Sequence, residues 1–547
     1  MRLVIIGGVA GGASAAARAR RLSEEAEIVL LERGPEVSFA NCGLPYYVGG
    51  KIASRDKLLV TTPERLQVRF KLDVRTESVV RSIDRARKVV QVCEQRSDRT
   101  YEESYDKLIL APGAAPLRPC VPGIDLPGIF TLRNLQDVDR IKQQVDSAIA
   151  PAVVIGGGFI GLEMVENLVQ LGIKTTLVER NGQVLGPLDK EMTKPIHQTL
   201  VEHGVEVKLF ENLSSIEPSP GGLLKLHFAS GLTLEAGIVI VGIGVVPESQ
   251  LAAECGLTIG QRGGILVSDS LQTSDPDIYA VGDAIEVKDF LFEHQTLVPL
   301  AGPANRQGRI AADNALGGNS RYRGTQGTAI VGVLGQTAAM TGASEKVLCR
   351  LKRPFRKVYI HPAHHAGYYP GAESMTLKLL FDPQSGRVLG AQGVGGAGVD
   401  KRIDVLAVAI QAGMTVFDLE EMELCYAPQY GSAKDPVNML GFVAAGLLRG
   451  EHPQVDVESV LDGDLAGAHY IIDVRTHQEF AEGHLPGAIN LPVDELRARM
   501  NELPRDRLIA AYCQVGQRGY LATRILNQSG FTVCNVGGGY KTYLLGQ

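Results

Sequence analysis

With 547 residues, 45% hydrophobic and 21% charged, the chain is long enough for three or four domains with their own cores. A net charge of −6 excludes a binder held mainly by nucleic-acid phosphates, and no apolar run approaches the roughly 20 residues of a membrane helix. The eight cysteines, at 42, 93, 120, 255, 349, 425, 513 and 534, contain no C-x-x-C pair, which argues against a zinc site and a secreted disulfide framework and fits a reducing cytoplasm.

The opening MRLVIIGGVAGG is apolar but soon turns into glycines, so it reads as a first strand rather than a signal peptide. Residues 3–6 form the strand, glycines follow at 7, 8, 11 and 12, a helix runs over 13–21, and a second strand, 28–31, ends in Glu32. Strand, glycine turn, helix, strand and acid make the opening unit of a dinucleotide-binding fold. The turn aims backbone N–H groups and a helix N-terminus at a pyrophosphate, and Glu32 suits a ribose hydroxyl. In G-x-G-x-x-G register Gly7 and Gly12 match, but Val9 takes the middle glycine. A tight turn of some other α/β protein fits this stretch as well.

Cys42 follows within SFANCGLPY, residues 38–46. A free thiol ionises near pH ~8.5, and a flavin ring or a helix N-terminus would lower that value. The plain alternative is a small buried hydrophobe. Residues 106–113, DKLILAPG, read as a strand entering a small-residue turn.

A second unit begins with strand 152–155, after which Gly156, Gly158 and Gly161 complete G-x-G-x-x-G. A helix to about residue 171, strand 174–178 and Glu179 follow. An acid at that strand end favours the free 2′-hydroxyl of NADH, while Arg180 beside it leaves NADPH open. Residues 273–284, TSDPDIYAVGDA, end in a strand and Gly282-Asp283-Ala284, and a helix-like run covers 302–316.

Farther on come HPAHHAGYYPGA (361–372), the strand SMTLKLLFD and CYAPQYG (425–431). His361, His364 and His365 have no acidic or cysteine ligand spaced with them, so no metal site is read here. After GFVAAGLLRG the polar EHPQVDVES reads as a linker. In YIIDVRTHQEFAEGHLPGAINLP (470–492) and LIAAYCQVGQRGYLATRIL (508–526), a strand ends at Cys513, and a loop leads to a helix beginning near residue 519. That places Cys513 in a nest of backbone N–H groups suited to a thiolate or persulfide. Cys534, before VGGGY, reads as a core residue.

On these motifs the chain resembles the two-dinucleotide-fold flavoprotein disulfide reductases. Tyr47 stands where C-x4-C members carry a second redox cysteine, so the resemblance is to the single-cysteine branch. It implies FAD on the first unit, at Gly7, Ala10, Gly12, Glu32, Arg33, Ala111, Gly113, Gly282, Asp283 and Ala301, with Asp283 meeting the ribityl and phosphate portion. It implies NADH or NADPH at Gly156, Gly158, Gly161, Glu179, Arg180 and Gly244, with VGIGVVP (241–247) as the return strand. Peroxidase and oxidase members carry a His where Ala10 stands, which argues against peroxide as the main substrate.

SFANCGLPYY and GGVAGG are similar to the coenzyme A disulfide reductases. By position this implies coenzyme A contacts at Ser14, Arg18, Arg21, Ser38, Asn41 and Lys71, a solvated helix face being the plain alternative for the two arginines. It implies a catalytic Cys42 and a homodimer in which Tyr368 and Tyr426 reach toward the second protomer's cysteine; Tyr369 is the neighbour most easily confused with Tyr368. The C-terminal stretch resembles a rhodanese domain through D-V-R, E-F, G-H-L-P-G-A and C-x4-R. Cys513 is then the sulfur carrier, Arg518 closes the loop, and Asp473 and Arg475 form a structural pair.

The expected fold is α/β: two nested dinucleotide-binding (Rossmann-like) domains, an α+β dimerisation domain and a C-terminal rhodanese α/β domain. The expected spans are 1–150 and 271–321 for FAD, 151–270 for NAD(P)H, 322–445 for dimerisation, 446–457 as linker and 458–547 for the rhodanese. The expected activity is cytoplasmic reduction of coenzyme A persulfide, coenzyme A disulfide or polysulfide, releasing hydrogen sulfide and coenzyme A, with no metal, nucleic acid or membrane partner. The alternatives are an NADH oxidase or peroxidase, and a sulfurtransferase or redox sensor with a regulatory flavoprotein part.

Overall fold

Leu3, Val4 and Ile5 are fully buried, as a strand covered on both faces requires. They lie in Arg2–Ile6, the centre of a parallel sheet ordered Ile278–Ala280, Lys107–Leu110, Arg2–Ile6, Glu27–Leu31, Asp73–Arg75 in this computed structural model, which describes residues 1–147, 151–461 and 470–547. A second parallel sheet repeats the plan, ordered Glu206–Leu209, Thr175–Glu179, Ala152–Ile155, Ile238–Val241, Ile129–Phe130. In both sheets a glycine turn leaves the central strand and opens a helix, Ala10–Leu22 in the first and Phe159–Gln170 in the second. The helix Ala10–Leu22 packs against Ala301–Ala315 so closely that a Cβ on Gly308 would come within 2.2 Å of the Gly11 carbonyl oxygen.

Two boundaries differ from the sequence reading. Ile129–Phe130 lies in the expected first span yet completes the second sheet. The 241–247 segment is not one strand: Ile238–Val241 ends, Gly244 turns the chain at φ +122°, and Val245–Pro247 pairs antiparallel with Ala114–Pro116. Residues 148–150, at the junction of the first two expected spans, lie outside the described residues.

The chain forms two compact units, residues 1–182 with 204–326, and 183–203 with 327–547. The second unit contains an antiparallel sheet ordered Ala329–Val333, Gln336–Gly342, Val388–Gly395, Met375–Phe381, Arg356–Ile360. The helix Lys190–Glu202 joins this unit because its entry residues are tied there. Lys378, fully buried, donates to Asp189 and Glu191 at 2.6 Å each.

A third parallel sheet, in the same unit, is ordered Gln454–Val455, Val533–Val536, Ile509–Tyr512, Tyr470–Asp473, Ile489–Asn490. The expected linker 446–457 is therefore not a free spacer. The helix Pro436–Leu448 enters it, and Gln454–Val455 is the sheet's edge strand. Residues 462–469 of the expected C-terminal domain lie outside the described residues.

Candidate functional site

The first glycine turn is fixed by contact, not only by conformation. Gly7 has φ +97°, and a Cβ there would stand 2.1 Å from the Ala111 carbonyl oxygen; one on Gly12 would stand 1.8 Å from that of Gly7. The middle position carries no such demand. Val9 and Gly158 are the N-caps of the two corresponding helices, at φ −98° and −81°, which any L-residue adopts. The valine that weakens the motif in sequence thus leaves the turn intact.

The two acids play one part twice. Glu32 accepts from the Gly8 and Gly34 N–H groups at 2.7 Å each, and Glu179 accepts from Gly157 and Asn181 at 2.8 Å each. Each carboxylate braces its own glycine turn. Gly8 and Gly157 were not singled out in the sequence, although both follow the first glycine of their turn. Arg180 is exposed beside Glu179.

A cavity of about 890 Å³ opens at the first turn, lined by Gly7, Val9, Ala10, Glu32, Arg33, Asn41, Ala111, Gly113, Gly282 and Asp283 among others. That volume, a glycine turn at one wall and an acid beside it suit a dinucleotide cofactor such as FAD. Two details qualify the expected set. Ala304, one turn into its helix, lines the cavity in place of Ala301. Arg33 is spent on Glu248, which it and Arg133 clamp at 2.5 Å each, holding that carboxyl down at about 2.

Cys42 sits in a 3₁₀ turn, Asn41–Gly43, that leads into the short helix Leu44–Val48. The chain's own groups do not lower its thiol as expected: partial burial pushes it up, and Glu163 and Asp283 add to the shift. Glu163 was missed in the sequence. Its signal is the pair of carboxylates, Glu163 and Glu166, inside the largely apolar FIGLEMVENLVQ helix. Tyr46 donates to Glu163 at 3.4 Å, and burial raises the Glu163 carboxyl to about 7 and the Tyr46 phenol to about 12.

Ser14, Arg18 and Arg21 fall at helical spacing along Ala10–Leu22. Ser14 donates to Asn305, Arg18 pairs with Asp313 at 2.6 Å, and Arg21 is exposed. Arg20, not selected in the sequence, is 4% exposed and donates to the Phe70 and Lys71 carbonyls at 2.8 and 2.9 Å. It thereby ties the end of Pro63–Phe70, and exposed Lys71, to this helix. Ser38 adopts φ +50° and donates its N–H to the Gly8 carbonyl at 2.8 Å. Asn41 lines the cavity.

In the second unit the phenol oxygens of Tyr368 and Tyr426 are 2.8 Å apart, both rings exposed. Tyr369 instead packs edge-on against His365. The three histidines do not converge. His361 bridges Thr376 and Thr542 at 2.9 Å each, His364 meets the Glu373 backbone, and His365 faces the Ala366 carbonyl. Among the described residues, Asp189, Glu191 and Glu345 do cluster, but the Lys378 ammonium is already bonded to all three.

Cys513 directly follows the strand Ile509–Tyr512 and is fully buried. The following helix is Gln517–Gln528, earlier than expected, because Gly516 at φ +96° turns the chain into it. Arg518 therefore lies in its first turn. It meets both oxygens of Glu479 at 2.8 and 2.6 Å, which holds that carboxyl down at about 2, and Cys513 is among the groups that raise the Arg518 guanidinium. Asp473 and Arg475 pair at 2.6 Å, and Arg475 also donates to Gln514 of the cysteine loop at 3.0 Å. Cys534 is buried, which pushes its thiol up to about 12.

Three family descriptions match the chain: pyridine nucleotide-disulphide oxidoreductase over residues 1–308, the dimerisation domain of the same family over 329–435, and rhodanese-like domain over 457–545. A coenzyme A disulfide reductase of Staphylococcus haemolyticus is 36% identical over 451 residues, covering 82% of this chain and 100% of that protein. The crystal structure of reduced Bacillus anthracis CoADR-RHD matches with a TM-score of 0.97 at 49% identity, over 100% of this chain and 98% of that one. A NAD-dependent persulfide reductase from A. fulgidus matches with a TM-score of 0.92 at 37% identity, over 99% and 100% of the two chains.

Proposed function

The chain belongs to the pyridine nucleotide-disulphide oxidoreductases, and from that membership we propose that it uses FAD and NAD(P)H to reduce coenzyme A persulfide, with coenzyme A disulfide and polysulfide as related acceptors. It is a flavoprotein disulfide reductase with a rhodanese domain. The observation that carries the reading is Cys42, set without a cysteine at position 47 and next to Asn41, which lines the cavity together with Asp283.

Bound FAD would supply the electron path from nicotinamide to the Cys42 sulfur. The glycine turns at Gly7 and Gly156 serve the pyrophosphates, with Glu32 and Glu179 bracing them. The Cys42 thiolate attacks the sulfane sulfur of the coenzyme A persulfide. The S–S bond breaks, coenzyme A leaves as a thiolate, and the sulfur stays on Cys42 as a persulfide. Two electrons, originating in NAD(P)H, then release that sulfur as hydrosulfide and restore the thiolate. Ser14, Arg18, Arg21, Ser38, Asn41 and Lys71 hold the nucleotide end of coenzyme A. In a two-fold dimer, the Tyr368–Tyr426 pair of one protomer supplies the proton to the departing thiolate at the second protomer's site.

The rhodanese domain favours persulfide over symmetric disulfide, because a Cys513 persulfide held by the loop N–H groups and Arg518 is a source of sulfane sulfur. Anaerobic NADH oxidation with coenzyme A persulfide, compared with oxygen and with peroxide, tests the reading. Persulfide should be the fast acceptor. Faster turnover with oxygen or peroxide would support an oxidase, and negligible turnover with all three a sensor.

A further inference from the structure

The stretch VGGGY, residues 536–540, has no part in the reaction described above. Its last two glycines are each required by a different neighbour. Gly538, at φ +69°, would carry a Cβ 2.0 Å from the Thr542 hydroxyl oxygen and 2.9 Å from the Cβ of Tyr359, which lies in Arg356–Ile360, the edge strand of the antiparallel sheet. Gly539, at φ +64°, would carry one 2.2 Å from the Cys513 carbonyl oxygen. At both positions only glycine suits the conformation and the space. The turn is thus a wall shared by the dimerisation domain and the cysteine loop.

On the loop side the wall supplies two donors. The Tyr540 N–H donates to the Cys513 carbonyl at 2.8 Å, and the Lys541 N–H to that of Gln514 at 2.9 Å. With those carbonyls held, the loop keeps its own N–H groups for an anionic sulfur. On the other side two side chains latch the wall to the dimerisation domain. His361 meets Thr542 Oγ1 through Nε2 and Thr376 Oγ1 through Nδ1, at 2.9 Å each. Lys541 Nζ donates to Ser374 Oγ at 2.9 Å. Burial keeps the imidazole neutral, so one nitrogen donates and the other accepts, and the two hydroxyls can complete either arrangement.

We propose that the dimerisation domain holds the Cys513 loop in its working geometry through this turn, with His361 and Thr542 as positioning residues for Cys513. The hydrogen bonds run without a gap from Thr376 through His361 to Thr542, and the helix Gly539–Gly546 that carries Thr542 also carries both donors to the loop. The docked interface is then a requirement of sulfur transfer at Cys513 and not of electron transfer to Cys42.

This rests on the reading of Cys513 as the sulfur carrier, but one arm of the test needs no sulfur chemistry. The full-length, FAD-loaded, reduced protein is alkylated with iodoacetamide, and the labels on the Cys513 and Cys534 peptides are followed by mass. Both thiols are buried in the same domain, so Cys534 reports general loosening. The second arm measures polysulfide-dependent sulfur transfer beside reduction of ready-made coenzyme A persulfide. Thr542→Val keeps the shape of the side chain and removes its hydroxyl. It should speed labelling of Cys513 several-fold and leave Cys534 unchanged. It should lower kcat for transfer by about tenfold, the worth of one buried hydrogen bond, without raising the KM for polysulfide and without slowing the ready-made reaction. His361→Phe, a change in the other domain, should have the same effect on Cys513 labelling, and Thr542→Ser should restore wild-type behaviour. Wild-type labelling and transfer in Thr542→Val and His361→Phe would overturn the proposal. So would equal acceleration at Cys513 and Cys534, or a Thr542→Ser no better than Thr542→Val. Absence of sulfur transfer in wild type, with the labelling pattern as expected, would count against the carrier reading alone.

Discussion

The hydroxyls of Tyr368 and Tyr426 lie 2.8 Å apart although 58 residues separate them in the chain. Each can donate to the other, and the contact pushes the Tyr368 phenol up, so Tyr368 keeps its proton at neutral pH. Tyr426→Phe should slow reduction of coenzyme A persulfide by about 10–10⁴-fold, the range of a positioned acid, without loss of FAD. Steady-state rates and the flavin spectrum check this. Normal turnover in the double variant with Tyr368→Phe would remove both tyrosines from the chemistry.

Arg18→Ala and Arg21→Ala should raise the KM for coenzyme A persulfide by about tenfold or more, the worth of a hydrogen bond to a charged group. Inorganic polysulfide should be little affected, because it lacks the phosphates. Arg18 is already paired with Asp313 at 2.6 Å, so Asp313→Asn should lower that KM by freeing the guanidinium. Equal effects of the arginine variants on both substrates would show that they serve the fold.

The two sulfur centres should separate genetically. Cys513→Ser should abolish thiosulfate- or polysulfide-dependent sulfur transfer and spare reduction of coenzyme A persulfide supplied ready-made. Glu479→Gln, which releases the clamp on Arg518, should weaken the transfer arm alone. Loss of the ready-made reaction in Cys513→Ser would put Cys513 inside the reductive cycle.

His361 gives a pH signature. Burial, and to a lesser degree Lys541, hold it down at about 3 while it bridges Thr376 and Thr542. An unfolded histidine ionises near pH ~6.5, so the unfolded chain binds the extra proton first. Stability is therefore full above about 6.5 and is lost as pH falls toward about 3. Thermal melts should show Tm dropping by several degrees more over that acid range in wild type than in His361→Gln. Parallel curves would mean the imidazole stays solvated.

Much of this was legible because the signals are local. The glycine turns and their acids follow the chain in order, and Cys42 and Cys513 each sit in a short motif. The Glu163 contact was not legible, since its partner Tyr46 is 117 residues away and its perturbation comes from burial. Strand Ile129–Phe130 was missed because two residues carry no periodicity of their own. The linker misreading has the same origin: EHPQVDVES is polar, but Gln454–Val455 is held by a strand more than 75 residues downstream.

The most direct test of the account is Cys42→Ser, assayed anaerobically with NADH and coenzyme A persulfide. The variant should retain FAD and accept hydride in a single turnover, yet release no hydrogen sulfide above background. Hydrogen sulfide release at the wild-type rate would contradict the assignment of Cys42 and, with it, the proposed reaction.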